Sequence, residues 1–145
     1  DARDVPAGQT RDYIFGYTIL NDVSARDVQT AHKQWYFGKS LDGFTPIGPC
    51  IVTADAFADY PLRLGIRSFV NGEKRQDSNT ALQIFDIDHV IAELSQGMTL
   101  KAGTIIATGT PAGVGMGMDP PQFLKPGDVV RCEIEGIGTL TNPVK

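Results

Sequence analysis

Histidine and cysteine are scarce in this chain, two of each in 145 residues. His32 and His89 stand alone, with no second ligand at metal-binding spacing, which removes the helical zinc-protease pattern and leaves both as structural or surface residues. Cys50 and Cys132 lie far apart and neither belongs to a Cys-x-x-Cys pair. They read as two reduced structural thiols in a reducing compartment, the cytoplasm. A Gly-x-Ser-x-Gly elbow is also missing. Basic charge is short: 13 Lys and Arg against 17 Asp and Glu give a formal net charge of −4, which argues against a nucleic-acid partner. No apolar run approaches the roughly 18 residues that span a bilayer, so no membrane partner is expected. The opening Asp1-Ala-Arg-Asp-Val-Pro-Ala-Gly8 is polar and unlike a signal peptide. It does not begin with Met, and the expectation is that the chain starts partway through a longer protein.

What is present centres on Gly16 to Gln29. Tyr13 to Asn21 is nearly all apolar and aromatic, which predicts a buried strand. Ser24 and Asp27 have capping-box spacing, which predicts a helix from Ala25 to about Ala31. Asp22 then falls at the joint, and Arg26 and Gln29 share one helical face. A carboxylate, a guanidinium and an amide would project from the carboxyl end of one strand, a usual place for a ligand.

Further on, His32 to Pro49 is rich in aromatics, Gly and Pro, without a period, and reads as a long ordered loop of the kind that carries function. Cys50 to Ala54 reads as a short strand. Leu62 to Val70 alternates in part, Asn71-Gly72 signals a type I′ hairpin, and Glu73 to Gln76 should return as its partner. Asp77 to Thr80 reads as polar loop. Asp88 is placed to cap a short helix ending near Gly97. Thr104-Ile-Ile-Ala-Thr108 reads as a buried β-branched strand running into the glycine-rich loop Gly109 to Gly117. Asp128 to Glu135 alternates, with Val130, Cys132 and Ile134 facing in, and a last strand lies near Thr139 to Thr141. Roughly seven strands and two or three short helices predict a mostly β, α+β domain rich in antiparallel sheet.

The glycine-rich loop has neither the Lys-Ser/Thr of a phosphate-binding loop nor the Gly-x-Gly-x-x-Gly of a dinucleotide site. It is either a tight turn needing positive φ or a backbone that approaches a carboxylate, with Thr108 and Thr110 as hydroxyl donors. Lys39, bracketed by Trp35, Tyr36, Phe37, Leu41 and Phe44, is either a solvated lysine or a cation held to stabilise an enolate or bind a carboxylate. Asp22 is either a helix-end acid or a ligand for a hard divalent ion, which would need further carboxylates. Asp86 and Asp88 are explained by capping.

Four motifs occur in order: Asn21-Asp-Val-Ser-Ala-Arg-Asp-Val-Gln29, Gly38-Lys-Ser-Leu-Asp42, Val70-Asn-Gly-Glu73 and Thr108-Gly-Thr-Pro-Ala-Gly-Val-Gly115. With Pro126-Gly-Asp128 and Glu133-Ile-Glu-Gly-Ile-Gly138, this pattern resembles the fumarylacetoacetate hydrolase family over essentially the whole chain. It is similar to the branch of homocatechuate-pathway isomerase/decarboxylases and fumarylacetoacetate-hydrolase-domain proteins. The resemblance implies a β-roll of mixed, antiparallel-rich sheets, usually a homodimer, with Mg²⁺ or Mn²⁺ on two glutamates and an aspartate. Asp22 matches that aspartate, Arg26 and Gln29 match residues at the pocket wall and substrate, Lys39 matches the active-site lysine, and Thr110 matches a threonine that holds a substrate carboxylate. The implied domain, residues 1–145, is incomplete on its N-terminal side: the paired glutamates and the lid, with its His/Glu acid–base pair, are not in this sequence. Gly43 stands where some members have a threonine that orders water.

The implied activity is enolate chemistry on a small 2-oxo acid, acylpyruvate or 1,3-dicarbonyl: C–C hydrolysis, decarboxylation, or isomerisation and tautomerisation, with Lys39 and Arg26 catalytic and Gln29, Thr110 and Arg26 binding substrate. Substrates of the type of 2-hydroxyhepta-2,4-diene-1,7-dioate or fumarylacetoacetate fit that description. Two competing readings are a non-catalytic ligand-binding domain and a dimerisation domain of the same fold.

Overall fold

The computed structural model describes residues 1–31 and 33–145. His32, read above as structural or surface, lies outside them. Among the described residues, six strands form two antiparallel sheets. A two-stranded ribbon pairs β1 (Gly16–Leu20) with β2 (Ile47–Thr53), and a four-stranded sheet runs in the order β4, β3, β5, β6. Among the described residues there are two α-helices, α1 (Arg26–Ala31) and α2 (Ile87–Gly97), besides short 3₁₀ turns. The mostly β, antiparallel expectation holds.

In the ribbon, β1 starts at Gly16 because the approach of β2 permits nothing larger. A Cβ at Gly16 would stand 2.4 Å from the Val52 carbonyl oxygen. Tyr13, the first residue of the expected strand, instead ends a 3₁₀ turn, Thr10–Tyr13. Ile19 is only 2% exposed, and it forms a core with Ile137 and Leu140 that joins the ribbon to β5 and β6.

In the larger sheet, β3 (Gly65–Val70) and β4 (Glu73–Asn79) make the expected hairpin. Asn71 (φ 52°) and Gly72 (φ 85°) both adopt the left-handed conformation that a type I′ turn demands. The Asn71 side chain also donates to Asp128 (2.8 Å) and accepts from the Val129 amide (2.9 Å), tying the turn to the start of β5 (Val129–Ile134). β4 runs three residues past Gln76, where a polar loop was expected. Arg67 stands opposite Asp77 in the register and bonds it at 3.0 Å, and Lys74 bonds the same carboxylate. Cross-strand charge pairing lets a polar sequence stay in the ladder. β6 (Gly138–Pro143) closes the edge.

The helix α2 is capped by Asp86, whose carboxylate accepts from the His89 amide at 2.8 Å. Asp88, the expected cap, is inside the first turn and does something else. It accepts from the Gly8 amide and from Thr10 Oγ1 (2.6 Å), and Thr10 also meets the Tyr60 hydroxyl. Thr10 is fully buried. Ser95 accepts from the Val5 amide at 3.0 Å. These bonds hold the N-terminal segment on α2 over a second core of Ala2, Val5, Ile91 and Leu100.

Thr104 to Thr108 departs from expectation. It is not a strand, and of its five side chains only Ile106 is half-buried, packing on the second core. Ile105 is 61% exposed. Among the described residues, no hydrogen bond reaches the backbone from Ile105 to Thr108. β-branched sequence alone does not make a strand: a ladder needs a partner. No helix among the described residues is long and apolar enough to cross a membrane.

Candidate active site

The joint between β1 and α1 is held from two sides. The Asn21 amide donates to the Pro46 carbonyl (3.0 Å), and the Ala25 amide donates to the Gly38 carbonyl (2.8 Å). Gly38 lies in the 3₁₀ turn Phe37–Lys39 and is buried against α1. A Cβ at Gly38 would stand 2.8 Å from the Gln29 nitrogen and 2.9 Å from the Ala25 oxygen. Only glycine allows this turn to lie flat on the helix. That contact sets where the next residue, Lys39, must point.

Lys39 Nζ donates to Asp22 Oδ2 at 2.5 Å and to Ser24 Oγ at 3.0 Å. The Lys39 and Asp22 side chains remain 27% and 39% exposed, so the pair is open to a ligand. The Lys39 carbonyl accepts from Thr45 Oγ1 at 3.1 Å, which fixes the turn from behind. Ser24 was read as a helix cap, but no backbone amide of α1 among the described residues donates to it. Its hydroxyl donates to the Asp22 carbonyl (3.2 Å) and its oxygen serves Lys39.

At the start of α1, Arg26 Nη1 donates to Gln29 Oε1 at 2.9 Å. Gln29 is 6% exposed, so the helix core grips the amide and the amide aims the guanidinium. Arg26 makes no ion pair among the described residues. Its charge and its remaining N–H groups are available to an anion.

The structure therefore brings Asp22, Ser24 and Lys39 together and places Arg26 with Gln29 on the adjoining helix. Thr110 is held elsewhere. Its hydroxyl oxygen accepts from Gln76 Nε2 at 2.8 Å, on β4, and no hydrogen bond among the described residues joins it to Asp22 or Lys39. Gly38, Ser24 and Gln76 were not singled out as site residues in the sequence. The glycine sits beside Lys39 in one motif and could have been suspected. Nothing in a linear reading connects Gln76 with a residue 34 positions away.

Gly43 has φ 79° in the turn after Leu41, a conformation a threonine would adopt only with strain. A hard ion such as Mg²⁺ takes six oxygen ligands, typically one or two carboxylates with water and substrate oxygens making up the rest. Asp22 offers one carboxylate, already bonded to Lys39. Among the described residues no group of three or more His, Cys, Asp or Glu is placed to hold an ion. The described residues do not by themselves fit a metal centre.

The model for the fumarylacetoacetate (FAA) hydrolase C-terminal domain matches residues 1–145, the whole chain. The chain belongs to the fumarylacetoacetate hydrolase family. The oxaloacetate tautomerase YisK of Bacillus subtilis is 51% identical over 133 residues, covering 92% of this chain and 44% of that protein. A solved fumarylacetoacetate hydrolase from psychrophilic Exiguobacterium antarcticum superposes with a TM-score of 0.95 at 54% identity, covering 99% of this chain and 51% of that one. A maleylpyruvate hydrolase from Sphingobium, solved with manganese(II) and pyruvate, superposes at 0.84 with 39% identity, covering 98% and 48%. The chain thus spans about half the length of the relatives it matches. Family membership agrees with the mostly β, antiparallel-rich fold described above.

Proposed function

We propose that this chain carries the pocket of a tautomerase or isomerase acting on small 2-oxo acids or 1,3-dicarbonyls, with an oxaloacetate-like dicarboxylate as substrate. The observation that carries the reading is the placement of Lys39 against Asp22 and Ser24, just ahead of α1, whose first residue Arg26 makes no ion pair among the described residues. The 51% identity to an oxaloacetate tautomerase supports the reaction class.

Hydrogen-bond accounting gives each residue its work. An ammonium has three donors. Lys39 gives two to Asp22 and Ser24, which leaves one for a ligand oxygen. Where an enol becomes a ketone, negative charge passes through that oxygen, and a fixed cation facing it lowers the barrier. Arg26, aimed by Gln29, takes a carboxylate in a two-pronged contact. Thr110 donates to a further carboxylate. Together these contacts fix the dicarboxylate before the proton moves.

Metal dependence belongs to the same proposal. Asp22 would be one ligand of a Mg²⁺ or Mn²⁺ ion whose other ligands come from outside the described residues. Such an ion would polarise the 2-oxo group as a Lewis acid. We extend the proposal to a cytoplasmic homodimer: the two free cysteines suit a reducing compartment, and the dimer rests on the family resemblance alone.

The test is conversion of enol to keto oxaloacetate by the full-length protein with Mn²⁺, followed by ultraviolet absorbance. Turnover that falls at least tenfold in Arg26→Ala is expected. No acceleration over buffer, or release of CO₂ or of two carbon fragments instead, would replace this reading with a binding domain, a decarboxylase or a hydrolase respectively.

A further inference from the structure

Gln76 lies on β4, outside every motif read from the sequence, yet its amide oxygen and both of its amide N–H donors are engaged. Its Oε1 accepts from Ser68 Oγ at 2.8 Å. Its Nε2 donates to the Pro111 carbonyl at 2.8 Å and to Thr110 Oγ1 at 2.8 Å. The Pro111 carbonyl can only accept, so it fixes which end of the amide is nitrogen. Both N–H groups are then assigned, and Thr110 must be an acceptor in this pair.

That assignment decides the state of the Thr110 hydroxyl. Its lone pair is taken by Gln76, and its own hydrogen has no acceptor among the described residues. Thr110 is exposed. The hydroxyl therefore presents an O–H outward, a donor complementary to a group that can only accept, such as a carboxylate. Ser68 stands opposite Gln76 in the register and begins the relay, so each donor in the series polarises the next.

The backbone holds the loop to the same strand. Gly113 has φ 106°, and a Cβ there would stand 2.1 Å from the Arg75 oxygen and 3.1 Å from Gln76 Cγ. The loop that carries Thr110 thus rests directly on β4.

We infer that Gln76 is a positioning residue that sets the Thr110 hydroxyl as a hydrogen-bond donor to a substrate carboxylate, relayed from Ser68. This rests on the reading of Thr110 as a carboxylate contact.

The experiment is steady-state kinetics of oxaloacetate tautomerisation by the full-length protein with Mn²⁺, with the thermal midpoint of each variant measured alongside. In Gln76→Glu the new carboxylate can only accept, so Thr110 spends its hydrogen on it. KM should rise about tenfold, the loss of one charge-assisted hydrogen bond, with kcat within about twofold. Thr110→Val should raise KM by a similar factor. The double variant should be no worse than the poorer single one, because both remove the same bond. Ser68→Ala perturbs the relay from its far end and should raise KM about threefold, and it decides the matter if Gln76→Glu does not fold. An unchanged KM in both Gln76→Glu and Ser68→Ala, with Thr110→Val raised, overturns the role of Gln76 and leaves the pocket reading standing. A Gln76→Glu effect that persists undiminished in the Thr110→Val background also overturns it, since simple charge repulsion would then suffice. An unchanged KM in Thr110→Val removes the carboxylate contact itself.

Discussion

Lys39→Met separates a lysine that holds the fold from one that works on a ligand. Methionine keeps the apolar stem and loses the charge and three donors. The two side chains of the Lys39–Asp22 pair are 27% and 39% exposed, so water screens the pair and replaces much of what is lost. Exposed ion pairs contribute about 0–1 kcal/mol. The bond to Ser24, part-buried, adds about 0.5 kcal/mol, the low end of the usual range. The total is about 1 kcal/mol, and in a domain near this size each such unit lowers Tm by about 2–4 °C. The catalytic loss is of another order. Removing one fixed donor from a developing oxyanion costs about 10²–10³ in kcat. The expected result is therefore a fall of about a hundredfold or more in oxaloacetate turnover beside a Tm shift of a few degrees. Turnover assays and thermal unfolding by circular dichroism on the same preparation measure both. Activity that falls only in proportion to the folded fraction, or by less than about fivefold, would make Lys39 structural and refute the reasoning.

Asp22→Ala should weaken Mn²⁺ binding to the full-length protein by more than about tenfold in calorimetry, and an unchanged affinity would strike Asp22 from the ligand set. Gly38→Ala puts a methyl group 2.8 Å from the Gln29 nitrogen, so the turn must lift from α1. A stability loss of about 1–3 kcal/mol and reduced turnover are expected, and wild-type values for both would show that the contact does not place Lys39. Burial pushes the Asp88 carboxyl upward, but the bonds from Thr10 and Gly8 outweigh it and hold the group below the ordinary carboxylate value. Its stabilising contribution is complete above the unfolded value near about 3.9 and is lost as pH falls through the lower folded value. Asp88→Asn should flatten the decline of Tm as pH falls below about 4, and parallel curves for variant and parent would deny the carboxylate this role.

Much of the architecture was legible because it rests on local rules. Asn71-Gly72 dictates its own turn, the alternation from Val130 to Ile134 dictates its own faces, and the helix near residue 90 announces itself by acids ahead of an apolar stripe. The pairing of Asp22 with Lys39 was legible only through family motifs, since the loop between them has no period. The misreadings share one cause. Asp86 and Asp88 are interchangeable as caps in a linear reading, and only the position of Gly8 and Thr10 assigns Asp88 to the N-terminal segment. Asp77 to Asn79 looks like loop until Arg67 is seen across the ladder. Thr104 to Thr108 looks like strand until its lack of a partner is known. In each case a distant residue decides, and composition holds no trace of which one.

That unpaired run is an open edge within the described residues. Amides and carbonyls without a partner there, beside Ile105 at 61% exposure, are complementary to a further extended segment laid alongside them, which would complete a ladder and cover the isoleucine together. Ile105→Lys would set a charge on that edge and weaken such pairing while leaving the Asp22–Lys39 corner as it is.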